Sequence, residues 1–139
     1  MKYPILNGYI TSGYGDRISP INGKKEFHPG LDITSKGEVP QIVAPCRIQL
    51  EINGWSDSYG WRCYFKILEG EHVGKYMLFA HMARKSTVLV KTVLTSGQFI
   101  GYMGSTGWST KPHLHWGIID TPAPVSIKNK SYEPTSYIQ

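Results

Sequence analysis

The sequence holds only two cysteines, Cys46 and Cys63, and they form no Cys-x-x-Cys pair. That disfavours a cysteine-built zinc site, and a chain of 139 residues is long enough to bury a core without disulfide staples. The thiols flank the turn-rich stretch NGWSDSYG at 53–60, so a disulfide between neighbouring antiparallel strands and a pair of buried free thiols both remain open. No run of about 18 apolar residues occurs, which argues against membrane insertion. The Met-Lys-Tyr-Pro start lacks the apolar stretch of an export signal, so no signal peptide is expected in this chain. Nor does any long segment carry a 3.6-residue apolar period; instead 15 glycines and 9 prolines interrupt the chain, which predicts a mainly β fold.

Acidic residues are missing from one whole region. Between Glu71 and Asp120 there is none, yet Lys75, Arg84, Lys85, Lys91 and Lys111 all fall there, while the remaining segments balance at ten basic against ten acidic. The net charge of +5 therefore belongs to the region that also carries His81, His113 and His115. A cationic surface concentrates polyanions. Nucleic acid is one such partner and an anionic bacterial cell wall another, with a merely solvated basic face as the alternative. No Lys/Arg-rich helix, zinc-finger spacing or aromatic RNA-binding signature is present, so nucleic acid is not expected.

What is present reads as a single domain over residues 1–139, without internal repeats. The segment NGYITSGYGDRISP is extended and turns at Ser19-Pro20, and Asn22-Gly23 is a hairpin signal. Strands are expected over 41–52, 61–69, 75–82 and 113–119, with a β-branched run and a short strand between 86 and 104. The Pro-rich tail from Thr121 is expected to lie extended over the surface.

Four residues stand out: His28 and Asp32 in FHPGLDI, and His113 and His115 in KPHLHWGI. In a strand, side chains alternate, so His113 and His115 project from one face while Leu114 enters the core. Trp116 then points opposite to His115, into the core. His28 and Asp32 are separated by the turn-prone Pro29-Gly30-Leu31, which lets both reach one point. Two His and one Asp make the three-ligand set of a catalytic Zn²⁺, with the fourth position left to water.

These residues sit in longer blocks. The series SGYGDR, Pro20, Gly23-Lys24, FHPGLDI, Tyr59-Gly60, LFAHM, GQFIGYMGSTG, PHLHWGI and YEPTSYI resembles, in order and spacing, the lysostaphin-like zinc endopeptidases of bacterial peptidoglycan. The resemblance covers about Ser12 to Ile138, nearly the whole chain. It implies an antiparallel β-sheet enzyme with a substrate groove over the sheet, with His28, Asp32 and His115 as the zinc ligands. His81 and His113 take the places of the two catalytic histidines. Phe79 stands where the family commonly has Tyr, which removes a hydroxyl and suggests packing only.

The chemistry agrees with that division. Amide hydrolysis needs a group to take the proton of water and another to protonate the departing amine, and no His-Glu-x-x-His helix supplies a glutamate. Imidazole serves as acid or base near neutrality, so His81 and His113 fit, their individual roles open. His113 as a fourth ligand closing the site is the alternative. His72, outside every motif, is expected at the surface. The loop GSTGWST at 104–110 borders the groove, where Trp108 or Tyr59 would contact substrate.

The expected function is hydrolysis of peptide bonds in peptidoglycan cross-bridges or stem peptides. The protein would act at the cell wall, whether extracellular, periplasmic or virion-associated, as a monomer or a module of a larger assembly. The alternative is a noncatalytic wall-binding or phage-tail module that retains zinc for stability. A biotinyl or lipoyl carrier is disfavoured because no Met-Lys-Met or Asp-Lys hairpin lysine occurs.

Overall fold

Along the central strands every second side chain is apolar. The computed structural model, which describes residues 3–35, 40–122 and 130–138, gathers those side chains on one face of an antiparallel sheet. The strands are β1 (Gly8–Ser12), β2 (Gly15–Ile18), β3 (Lys25–His28), β4 (Gly30–Ser35), β5 (Gln41–Val43), β6 (Ile48–Ser56), β7 (Gly60–Ile67), β8 (Tyr76–Met82), β9 (Val93–Leu94), β10 (Phe99–Tyr102), β11 (Leu114–Ile119) and β12 (Ser131–Tyr132). They are followed by a 3₁₀ turn, Pro134–Tyr137. The main sheet runs β1-β4-β11-β8-β7-β6-β9, with β12 also paired to β11. The pairs β2–β3 and β5–β10 stand apart from it.

Leu31, Ile33, Phe65, Met77, Phe79, Leu114, Trp116 and Ile118 form the main core. Phe79 packs edge-on against Phe65 at 5.6 Å, in keeping with a purely packing role. The intervening residues face the other way. Tyr64, Leu78, Ala80 and Ile119 make a smaller cluster there, with Tyr59 packed against it.

Two features of this sheet aim the functional side chains. In the β4–β11 pairing Asp32 lies directly opposite His115, with Leu31 opposite Trp116 and Ile33 opposite Leu114. The same alternation that buries Leu31 and Trp116 therefore puts Asp32 and His115 side by side on the opposite face. Alternation by itself would send His81 into the core with Met77 and Phe79. Instead β8 advances three residues from Phe79 to Met82 while β7 advances two from Trp61 to Cys63, a bulge in which His81 takes a left-handed φ of 60°. The extra residue returns Met82 to the core and frees His81 to face the same side as His115.

Several expectations are corrected. The stretch 41–52 is two strands, interrupted between Val43 and Ile48. The β-branched run from Ser86, expected as a run before a turn and a short strand, lies mostly outside the sheet, and the short strand is Phe99–Tyr102. Ser86 Oγ donates to the Ile100 carbonyl at 2.5 Å, and Lys91 adopts a left-handed φ of 76°, so only the two residues of β9 join the sheet. Part of the tail expectation, residues 123–129 and residue 139, lies outside the described residues. Of the described tail residues, Ser131, Pro134 and Tyr137 do not lie over the surface: Tyr137 is fully buried, donates to the Glu69 carbonyl at 3.0 Å and accepts the His72 N–H at 2.7 Å. His72 is half-buried rather than freely exposed, its side chain resting against the rings of Tyr132 and Tyr137 at 5.1 and 6.0 Å. Cys46 and Cys63 are buried free thiols, each pushed up to about 12 by burial.

Gly30 is where β4 and β11 approach most tightly. A Cβ there would lie 2.6 Å from the Trp116 carbonyl oxygen and 2.9 Å from His115 Cε1. Gly30→Ala is therefore expected to destabilise the domain by about 1–3 kcal/mol and to displace His115. Urea denaturation checks the first effect; a variant as stable as wild type would contradict it.

Candidate active site

Three side chains converge. His28 Nε2 lies 3.1 Å from Asp32 Oδ1 and 3.1 Å from His115 Nδ1, and His115 Nδ1 lies 3.3 Å from Asp32 Oδ1. His28 closes β3 and Asp32 sits inside β4, so both belong to strands, with the Pro29 turn between them. All three residues are buried. His28 Nδ1–H donates to the Gly13 carbonyl at 2.8 Å, which leaves Nε2 with its lone pair facing the other two.

The donor set fits a divalent ion. Tetrahedral nitrogen and oxygen ligands at about 2.0–2.2 Å from zinc stand roughly 3.3–3.5 Å apart, close to the edges of this triangle. Burial alone would raise the Asp32 carboxyl, but the imidazoles of His115 and His28 outweigh it and hold the group well below the usual carboxylate range. Asp32 is thus an ionised oxygen between two nitrogens. Burial lowers the His115 imidazole in turn, against the opposing pull of the Asp32 carboxylate. Its Nε2 is buried with no hydrogen-bond partner among the described residues.

His81 and His113 stand beside the triangle, their ring centroids 4.8 Å apart. His81 Nδ1–H donates to the Thr106 carbonyl at 2.7 Å, and His113 Nδ1–H donates to the Lys111 carbonyl at 2.9 Å. In both rings Nε2 therefore carries the lone pair. Thr106 is itself pinned, donating from Oγ1 to the Met82 carbonyl at 2.6 Å and accepting the Trp61 N–H at 3.1 Å. His113 Nε2 lies 3.6 Å from Asp32 Oδ1.

Two residues that the sequence did not single out as site residues, Arg17 and Glu26, complete the site. Arg17 Nη1 donates to Asp32 Oδ2 at 2.6 Å and Arg17 Nε to Glu26 Oε2 at 2.6 Å. Arg17 and Glu26 are cross-strand partners on β2 and β3, a pairing visible only once the hairpin register is known. Tyr59 stacks on His115 at 5.7 Å, and burial pushes its hydroxyl up to about 12.

Two cavities of about 340 and 280 Å³ meet over these groups, sharing Arg17, Ile21, His81, Trp108 and His115. Together they make a groove across the sheet, between the β2–β3 hairpin and the loops at 56–60 and 105–113. Tyr59 lines one half, and Trp108, 70% exposed, lines both. The basic region does not act as one free patch. Lys75 lies 3.4 Å from Asp120, Lys91 pairs with Glu51, and Arg84 sits 4.6 Å over the Tyr102 ring, while Lys111 lines the groove. Among the described residues no helix is long and apolar enough to cross a membrane.

Residues 26–127 match Peptidase family M23. The chain is 34% identical over 112 residues to the glycyl-glycine endopeptidase ALE-1 of Staphylococcus capitis, an alignment covering 80% of this chain and 29% of that protein. It is 33% identical over 111 residues to lysostaphin of Staphylococcus simulans, covering 80% of this chain and 22% of lysostaphin. The solved catalytic domain of the S. simulans lysostaphin superposes with a TM-score of 0.74 at 26% identity, covering 93% of this chain and 90% of that domain. The chain thus spans under a third of the length of these curated relatives.

Burial lowers His81 from its ordinary 6.5 to about 4, against the opposing pull of the Thr106 carbonyl. The unfolded chain takes up this proton near pH 6.5 and the folded one only near 4, so the contribution to stability is full above 6.5 and is lost as the pH falls towards 4. His81 alone is expected to cost the metal-free domain roughly 3 kcal/mol across that window, and His81→Gln should flatten that part of the profile. Thermal denaturation against pH measures it; identical slopes for variant and wild type would contradict the assignment.

Proposed function

The chain belongs to peptidase family M23, and on that premise we propose that it is a zinc-dependent endopeptidase cutting peptide bonds of bacterial peptidoglycan, in cross-bridges or stem peptides. The observation that carries this reading is the triangle of His28 Nε2, Asp32 Oδ1 and His115 Nδ1, with His81 and His113 beside it, at the floor of a groove. The relatives whose names specify endopeptidase action and the lysostaphin likeness support the substrate class.

In this reading His28, Asp32 and His115 hold the ion. When bound, zinc supplies Lewis acidity, bringing the pKa of water from 15.7 to about 7 and polarising a carbonyl. The chain does the rest. The groove lays an extended peptide across the sheet, with Trp108 exposed along it and Tyr59 fixing the His115 ring from one side. His81 stays neutral down to about pH 4, so it is a proton acceptor throughout the neutral range. Its Nε2 lone pair, and that of His113, are held toward the groove by the carbonyls of Thr106 and Lys111. Between them the two imidazoles supply an acceptor for the proton of water and a donor for the departing amine.

Residues 1–139 would act as one peptidase domain at the cell wall, extracellular, periplasmic or virion-associated, alone or as a module of a larger assembly. A noncatalytic wall-binding module would have no need of two imidazoles beside the triangle, so the nearness of His81 and His113 to it supports the catalytic reading.

Digestion of defined muropeptides, with new termini identified by mass spectrometry, tests the proposal. Cleavage is expected with Zn²⁺ and lost with chelator. His81→Ala and His113→Ala should each reduce kcat by about 10²- to 10⁴-fold without altering the far-ultraviolet circular dichroism. Zinc-independent cleavage, or full activity in both variants, would refute it.

A further inference from the structure

The two oxygens of Asp32 have different partners. Oδ1 faces the ligand nitrogens of His28 and His115 at 3.1 and 3.3 Å. Oδ2 receives Nη1 of Arg17 at 2.6 Å. That guanidinium is held from two further directions, donating from Nη1 to Ser12 Oγ at 3.0 Å and from Nε to Glu26 Oε2 at 2.6 Å. Ser12 lies opposite Asp32 in the β1–β4 pairing, and Glu26 lies opposite Arg17 in the β2–β3 pairing. The backbone of three strands around Asp32 thus fixes where the guanidinium sits.

We propose that Arg17 is a positioning residue that keeps Asp32 a one-oxygen ligand and so keeps a coordination position open for water and substrate. The inference rests on the zinc-peptidase reading above. A carboxylate binds a metal through one oxygen or both, and a charge-assisted hydrogen bond from a guanidinium occupies the oxygen it reaches. A catalytic zinc site has three protein ligands and a free position; a second Asp32 oxygen on the ion would take it. Lysine would not replace Arg17 fully, because a point charge cannot span Asp32 and Glu26 as a planar fork does.

The test compares wild type, Arg17→Met and Arg17→Lys. Zn²⁺ affinity is measured by chelator competition, the visible spectrum is taken on the Co²⁺-loaded proteins, and kcat and KM are measured on muropeptides. Wild type should show the intense Co²⁺ bands of a four-coordinate site. Arg17→Met should show the weaker bands of higher coordination, keep Zn²⁺ affinity within about tenfold and lose about 10- to 100-fold in kcat, with KM little changed; Arg17→Lys should fall between. A wild-type Co²⁺ spectrum in Arg17→Met overturns the proposal whatever its activity, as does a kcat loss that only follows loss of metal. Should Arg17→Met not fold, Arg17→Gln carries the same expectations and the same refutation. Wild type that holds Co²⁺ in a four-coordinate site but cuts no muropeptide would remove the peptidase reading alone, while the spectra of the variants would still decide the role of Arg17.

Discussion

The register between β4 and β11 is the constraint on which the rest depends. It sets Asp32 opposite His115 on one face while Leu31 and Trp116 interlock on the other, so the packing of the core and the geometry of the site are one arrangement. A slip of one residue would turn the carboxylate and the imidazole into the apolar layer and expose Leu31 and Trp116. Gly30, too close to the Trp116 carbonyl for any side chain, guards that register at its tightest point. His28 then needs only the short turn through Pro29 to complete the triangle.

Much of this is written locally in the chain. Period-two alternation places His113, His115 and Trp116 directly, and the spacing of His28 and Asp32 brings them to one point because β3 and β4 are joined by a single residue. The mainly β architecture follows from the frequent glycines and prolines and from the shortage of helical periodicity, while the antiparallel sheet is what the family resemblance implies. What escaped depends on register or on contacts distant in sequence. Arg17 meets Asp32 and Glu26 through two strand pairings, β1–β4 and β2–β3, and nothing near Arg17 in the chain announces them. The bulge at His81 is a departure from alternation, so the motif LFAHM marks the residue while its direction comes from the mismatch with β7. The run after Ser86 has the composition of a strand but is tied down by side-chain-to-backbone bonds. His72 and the buried Tyr137 are joined by a hydrogen bond across 65 positions.

The site departs from what stability would favour. It keeps a carboxylate ionised in a buried setting, a histidine in a left-handed backbone conformation, and a buried His115 Nε2 without a partner among the described residues. Each of these features is costly in an ordinary core. They are borne by a sheet whose other face is continuous and apolar, by the Arg17 guanidinium that pairs with Asp32 and is itself held by Glu26, and by the docking of Thr106 against Met82 and Trp61. Features that lower stability and cluster at the floor of a groove are what a site adapted to chemistry shows.

The most direct test is a crystal structure of the zinc-loaded protein with anomalous scattering recorded at the zinc edge. The account predicts one peak bonded to His28 Nε2, Asp32 Oδ1 and His115 Nδ1, with a fourth position taken by a non-protein ligand and with His81 and His113 uncoordinated. An ion absent from that triangle, or one enclosed by His113 as a fourth protein ligand, would contradict it.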